Sequence, residues 1–544
     1  MNIPIELSGN FMELRSDHFH SGLDMRTGGQ EGQPVRSAGE GWVSRIKISP
    51  WGYGKAVYID HPNGYTTVYG HLRELTGAVA ELTLATQYKE KCFDIDLYVE
   101  KGKLPLKAGD LFAYSGNSGG SGGPHLHFEV RRSSDQHALD PEAYGMMIPD
   151  RIPPTLRGLR IDALDTNART SPYGGNAVGY ALVARNDSTF VLKEGAVPQA
   201  FGTVGVSVNV FDHYSNSGSK CGIRKLEVQL DGTPIHTATL DEVDFSQNRY
   251  ANAYMDYRLF KDNSMDYNRC YRLPGNGLDL YGKETAQGRI TPEPGKDHAV
   301  VVIATDAHGN RSKLSFMLRG ATAEAARAWA PARRAGTLFR YDQENRIEGN
   351  GLRFTLPAKA LYQDDRIDLS RGSVIGPKAY APVHRLGDPY SPLHVQGEVS
   401  IQVEKPVPVS RANKLVVVRT DHAGKTSSIG GTHANGWVTA RTKAFGAFTV
   451  MADTVPPKVT NLDLKPVMTG RKGFTIRVDD DLSGVDVYTG LLDGNWILLD
   501  YDPKTKSLTH LFDVHSDIPG KHVFTLEVID ERKNKTTFRQ EFTR

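Results

Sequence analysis

Three cysteines in 544 residues allow at most one disulfide, so covalent cross-links do not hold this chain together. Cys221 and Cys270 fall in one predicted domain and are able to pair, leaving Cys92 free; three buried thiols are the other reading. No apolar run approaches the roughly 20 residues of a membrane-crossing helix. Lysine plus arginine (65) balance aspartate plus glutamate (63), and no basic run stands out, which argues against a nucleic-acid partner. Glycines crowd positions 116, 119, 120, 122 and 123, but no Gly-Lys-Ser/Thr follows them, so they read as a flexible cleft wall rather than a phosphate cradle. Met1 to Asn10 has neither the basic nor the apolar segment of a secretory signal, and an exported protein whose signal has been removed is expected.

What is present suits an all-β protein with many turns: 55 glycines, 23 tyrosines and 20 phenylalanines, with long helical periodicity missing. A chain of this length exceeds what one core supports, so roughly three to five domains are expected.

The densest chemistry lies near the start. His125 and His127 stand in Gly-Gly-Pro-His-Leu-His-Phe-Glu-Val, and alternate residues of a strand share a face, so both imidazoles point to one side. His20 and Asp24 stand in Phe-His-Ser-Gly-Leu-Asp. Together they read as a divided zinc site, because catalytic zinc takes about three N or O ligands and keeps one position open. Tyr69-Gly70-His71-Leu72 closes a strand-like run, and Gly109-Asp110 precedes Tyr114-Ser115-Gly116-Asn117. Glu129 shares a face with His127, either as an acceptor that orients an imidazole or as an ordinary solvent-facing carboxylate. His61 lies beside an Asn-Gly turn between strands expected at 55–60 and 65–70. His18, two residues before His20, is a competing ligand.

In this order and spacing the motifs resemble the M23 family of zinc metallopeptidases, lysostaphin-like endopeptidases that cut cell-wall peptides; the resemblance covers roughly residues 1–145. It implies His20, Asp24 and His127 as ligands of one zinc per chain, with His71 and His125 as the non-ligand histidines that move protons. It also implies peptidoglycan stem peptides or crosslinks as substrate and a place in the cell envelope, periplasmic or at the surface. In related enzymes an upstream segment fills the open metal position; here only His18 or Asn10 is available for that. Two readings of another class remain: a catalytically silent family member that regulates a cell-wall hydrolase, and a surface scaffold or adhesion protein.

One departure from the family's compact pattern is the 37 residues between His71 and Gly109. An extra hairpin at the cleft edge is expected there, about 78–105. Beyond residue 150 the chain repeats itself. Pro153-Pro154 is echoed by Pro456-Pro457, and Gly222 stands nine residues before Asp231-Gly232 as Gly484 does before Asp493-Gly494. His298, Asp306 and Asn310 have the same spacing as His522, Asp530 and Asn534. Two copies of an Ig-like β-sandwich follow, the first enlarged by a Tyr-rich insert, about 240–290, that either contacts substrate or packs on its own sandwich. The domain plan is a peptidase domain at 1–148, a sandwich at 149–320, a linker at 321–335 broken at Pro331, a β domain at 336–452 and a second sandwich at 453–544. The β domains are expected to meet an envelope partner.

Overall fold

The computed structural model describes residues 1–544 apart from 147, 172–176, 216, 330–334 and 374–375. The expected break at Pro331 lies outside the described residues. Strands make up 47% and helices 9%, and the all-β expectation holds.

The N-terminal domain is built on an antiparallel sheet in the order Leu7–Gly9, Leu23–Arg26, His125–Arg132, Tyr65–Leu75, Lys55–Asp60, Gly41–Ile48, Ile95–Tyr98. The Asn63-Gly64 turn joins Lys55–Asp60 to Tyr65–Leu75, with Gly64 at φ 85, a conformation glycine adopts without steric cost. The expected extra hairpin is instead a helix, Gly77–Glu90, followed by the short strand Ile95–Tyr98. Its residues are mostly good helix formers (Ala, Glu, Leu, Gln, Lys), and it stops where Lys91 turns left-handed at φ 50. Its inward stripe is Val79, Thr83 and Gln87, so two of three buried positions are polar and apolar periodicity is absent.

Both copies of the repeat have the shared turn. Asp231 and Asp493 sit at φ 49 and 52. Each accepts from a histidine, His298 Nδ1 at 2.8 Å and His522 Nδ1 at 2.6 Å, and from the following backbone N–H. The second copy is two four-stranded sheets. The first is one continuous 11-stranded sheet, because the hairpin Ala177–Asn186 and Thr189–Leu192 bridges Thr155–Ala163 to Arg311–Gly320. That hairpin is a second insertion, not anticipated from the spacings. Between the copies stand two five-stranded sheets around their own core, with Phe354, Phe445 and Phe448 at its centre.

The Tyr-rich insert packs rather than projects. Tyr254 and Tyr271 are buried, and Asn248 grips Phe19 by both its N–H (2.6 Å) and its carbonyl (3.2 Å). Cys221 and Cys270 are buried free thiols and Cys92 is exposed, so no disulfide forms.

Candidate metal centre

The strand His125–Arg132 runs antiparallel between Leu23–Arg26 and Tyr65–Leu75, and its register sets His127 opposite Asp24 on one side and Gly70 on the other. The loop carrying His20 lies directly on this strand. A Cβ at Gly22 would stand 2.2 Å from Phe128 O, so only glycine permits that approach. His71 follows Gly70 at φ 57, a left-handed conformation that non-glycine residues seldom take outside constrained sites. Its N–H donates to Tyr53 O at 2.8 Å.

Three atoms converge. His20 Nε2 is 3.0 Å from Asp24 Oδ1 and 3.1 Å from His127 Nδ1, and Asp24 Oδ1 is 3.0 Å from His127 Nδ1. The protons are elsewhere. His20 Nδ1 donates to Asn10 O at 2.7 Å, and His127 Nε2 donates to Glu129 Oε1 at 2.8 Å, so each imidazole, when neutral, turns a bare nitrogen toward Asp24. Three such atoms at this distance share positive charge, either a proton on His127 or a metal ion between them. Ligand atoms on tetrahedral zinc lie about 3.3 Å apart, and two nitrogens with one oxygen are a zinc-type donor set, so the residues fit that ion. All three are buried.

The electrostatics agree. Burial alone would raise the Asp24 carboxyl, but His20 and hydrogen bonds from His125, His127 and His20 hold it well below the usual carboxylate range. Burial opposes protonation of His127, yet Asp24 and Glu129 push it up to about 9. The point shared by the three ligand atoms therefore favours positive charge. Arg15 Nη2 holds the second oxygen of Asp24 at 2.8 Å.

His71 and His125 face one another across 4.7 Å between ring centroids. His71 Nδ1 donates to Ser118 O and His125 Nδ1 to Gly123 O, both at 2.8 Å, which leaves His71 Nε2 available to exchange a proton and turns His125 Nε2 toward Asp24 Oδ1 at 3.3 Å. Burial and the neighbouring His127 and His125 push His71 down to about 3, so it stays neutral. Both histidines thus hang on the glycine-rich wall. That wall is braced from the far end of the chain: Lys504 Nζ donates to Asn117 O and Ser121 O, and Lys55 Nζ meets Asp500 at 2.5 Å.

All five expected residues, His20, Asp24, His71, His125 and His127, come together. His18 does not join them; it is exposed on Asp17 at 2.8 Å. Asn10 turns its side chain to Gly222, and only its carbonyl serves the site. His61 bonds Glu40 O and Thr67 at the turn. Glu129 is the acceptor behind His127, fully buried and itself held by Arg131, Ser21 and Tyr53. Sequence reasoning missed Arg15, Ser21 and Tyr53. The one available signal was Trp51-Gly-Tyr-Gly, where a Cβ at Gly54 would stand 2.3 Å from Ser118 Oγ.

A family model described as peptidase family M23 matches residues 18–84, and a model of a Zu5-like domain matches residues 336–453. The DD-carboxypeptidase/endopeptidase Mpg of Neisseria meningitidis serogroup B is 30% identical over 118 residues, 22% of this chain and 21% of that one. The peptidoglycan DD-endopeptidase ShyB of Vibrio cholerae is 33% identical over 111 residues, 20% of each chain. A solved zinc containing peptidase from Vibrio cholerae is 28% identical with a TM-score of 0.19, covering 26% of this chain and 37% of that one. The chain spans about a fifth of the length of the curated relatives it matches. Residues 18–84 match peptidase family M23, and the N-terminal domain is similar to that family's peptidases.

Proposed function

We propose that the N-terminal domain is a zinc-dependent endopeptidase that hydrolyses peptide crosslinks of bacterial peptidoglycan. The observation that carries this reading is the convergence of His20 Nε2, Asp24 Oδ1 and His127 Nδ1 within 3.1 Å of one another, beside two further histidines whose Nδ1 atoms are anchored on backbone carbonyls and whose Nε2 atoms face the site. Zinc held by the three would polarise the scissile carbonyl and bring the pKa of water down to roughly 7. His71 and His125 then have the chain's own tasks: one takes a proton from the attacking water, the other stabilises the developing oxyanion, and together they deliver a proton to the leaving amine. Their Nδ1 anchors fix both tautomers, so Nε2 is the working atom in each. Glu129 keeps the His127 ring in register with one proton held on Nε2, so Nδ1 is the atom offered to zinc.

The substrate class rests on relatives such as the peptidoglycan DD-endopeptidase ShyB, and with it a setting in the cell envelope. The two sandwiches and the Zu5-like domain are assigned to positioning the peptidase there, through a protein or wall partner. The test is zinc content beside release of muropeptides from purified sacculi. Wild type should hold close to one zinc per chain; His20→Ala and Asp24→Ala should lose it, and His71→Ala should keep zinc while losing at least about a hundredfold in rate. Zinc-loaded wild type that releases no muropeptide would instead make this a regulator or scaffold.

A further inference from the structure

A second group of acidic side chains lies where the peptidase domain passes into the first sandwich. Asp150, Asp212 and Asp306 bring carboxylate oxygens within 4.8 Å of one another. They are 8%, 2% and 1% exposed, and none of the three is ion-paired among the described residues. Asp150 Oδ1 accepts from Ser215 N and Oγ at 2.8 Å, and Asp306 Oδ1 from His308 N and Asn310 N at 2.9 Å. Asn310 Nδ2 joins Asp306 Oδ2 at 2.8 Å to Asp150 Oδ2 at 3.3 Å. Asp212 Oδ1 is different: it is buried and accepts from no donor. A buried carboxylate oxygen without a partner costs several kcal/mol unless a proton or a cation serves it.

The repeat supplies the contrast. Asp453, like Asp150, stands three residues before a Pro-Pro pair, Asp480 follows its strand as Asp212 does, and Asp530 with Asn534 matches Asp306 with Asn310. In that second copy Asp453, Asp480 and Asp481 also gather within 4.8 Å, and Asp480 Oδ1 is likewise buried without a donor, but an ammonium accompanies the cluster. Lys378 Nζ meets Asp481 at 2.6 Å and is further raised by Asp453 and Asp480. The first copy has the carboxylates without the cation.

We propose that Asp150, Asp212 and Asp306, with Asn310, bind one calcium ion at the junction of the peptidase domain and the first sandwich. The donor set is oxygen only, which suits a hard cation, and two oxygens on one calcium at 2.3–2.6 Å are at most about 5 Å apart. Asn310 contributes its own oxygen after a half-turn of the amide. Consistent with an uncompensated site, burial and the neighbouring Asp306 push the Asp212 carboxyl up to about 8.

The ion also has a route to the peptidase site. Asp212 pairs with Cys221 by two backbone hydrogen bonds, at 2.8 and 2.9 Å. Gly222, next in the chain, exchanges two more with the Asn10 side chain, at 2.6 and 3.0 Å, and Asn10 O is the acceptor that orients His20.

The experiment uses the full chain, stripped of calcium on a chelating resin and given one equivalent of zinc. Calorimetric titration with calcium chloride should show one site, and calcium should raise Tm by about 2–4 °C or more. Asp212→Asn should lose the calcium heat and the Tm response, keep its zinc, and in the absence of calcium be at least as stable as wild type. Asp306→Asn, read the same way, stands in if Asp212→Asn does not fold, and Asp481→Asn in the second cluster should respond as wild type does. A wild type that neither binds nor is stabilised by millimolar calcium overturns the proposal, as does an equal response from magnesium alone or an undiminished response in Asp212→Asn and Asp306→Asn.

Discussion

The constraint on single residues that bears most directly on the site is Gly22. A methyl group there would meet Phe128 O at 2.2 Å and Glu129 Cγ at 2.8 Å, so Gly22→Ala should push the His20 loop off the strand that carries His127. Zinc affinity, measured by competition with a chromogenic chelator, is expected to fall by at least tenfold, while Tm drops by only a few degrees. A different single residue governs the response to acid. His236 is 2% exposed, its Nε2 has no partner, and burial pushes it down to about 4, with Glu284 acting weakly the other way. Because the folded value lies below the unfolded one, the stability this group contributes is present above pH 6.5 and is lost as pH falls from there toward 4. His236→Leu should flatten the stability profile across that window by up to about 3 kcal/mol, as read by denaturant titration at several pH values. Among the site residues, those with a distinctive spacing were legible from the sequence, as His-x-His and His-x-x-x-Asp. Arg15, Ser21 and Tyr53 were not, because each acts through contacts with partners brought close only by the fold.

At the scale of elements, strands announced themselves and the principal helix did not. The run Tyr65–Tyr69 and the run after His125 alternate and carry turn signals at their ends, and both are strands. Gly77–Glu90 hid because its buried stripe satisfies polar groups instead of excluding water. Gln87 Nε2 donates to Phe93 O at 2.8 Å, and Thr83 Oγ1 returns to Val79 O at 2.7 Å. Gln87→Ala should therefore leave a buried carbonyl unpaired and cost about 1–3 kcal/mol, detectable as a lower urea midpoint and faster amide exchange at Phe93 to Asp96. The repeated sandwich was legible through its turns, since Asp231 and Asp493 need the same left-handed backbone and the same histidine partner. The bridging hairpin at Ala177–Leu192 was missed although the spacing carries it, since Pro154 to Gly222 is 68 positions where Pro457 to Gly484 is 27.

Across the whole molecule, the last domain returns to the first. Tyr88 donates to Asp513 at 2.6 Å and packs on Trp496, Lys55 meets Asp500, and Lys504 reaches the wall that holds His71 and His125. Lys504 is solvent-exposed, so its contribution to stability is small, within about 1 kcal/mol. Its contribution to rate is larger. Lys504→Met should keep zinc and Tm and lower the turnover of sacculi roughly tenfold, through looser placement of the two histidines. Unchanged turnover would mean that the wall holds itself. These contacts between residues several hundred positions apart have no local sequence signature, which is why the plan of separate domains was readable and their mutual grip was not.

The brace also has a consequence in time. His127 emerges from the ribosome 377 residues ahead of Lys504. At about 5–20 residues per second that is an interval of roughly 20–75 s. The nascent chain thus has His20, Asp24 and His127 in place well before the lysine that steadies the opposite side is synthesised, so on the proposed function metal capture would precede the bracing of the site in the making of each molecule.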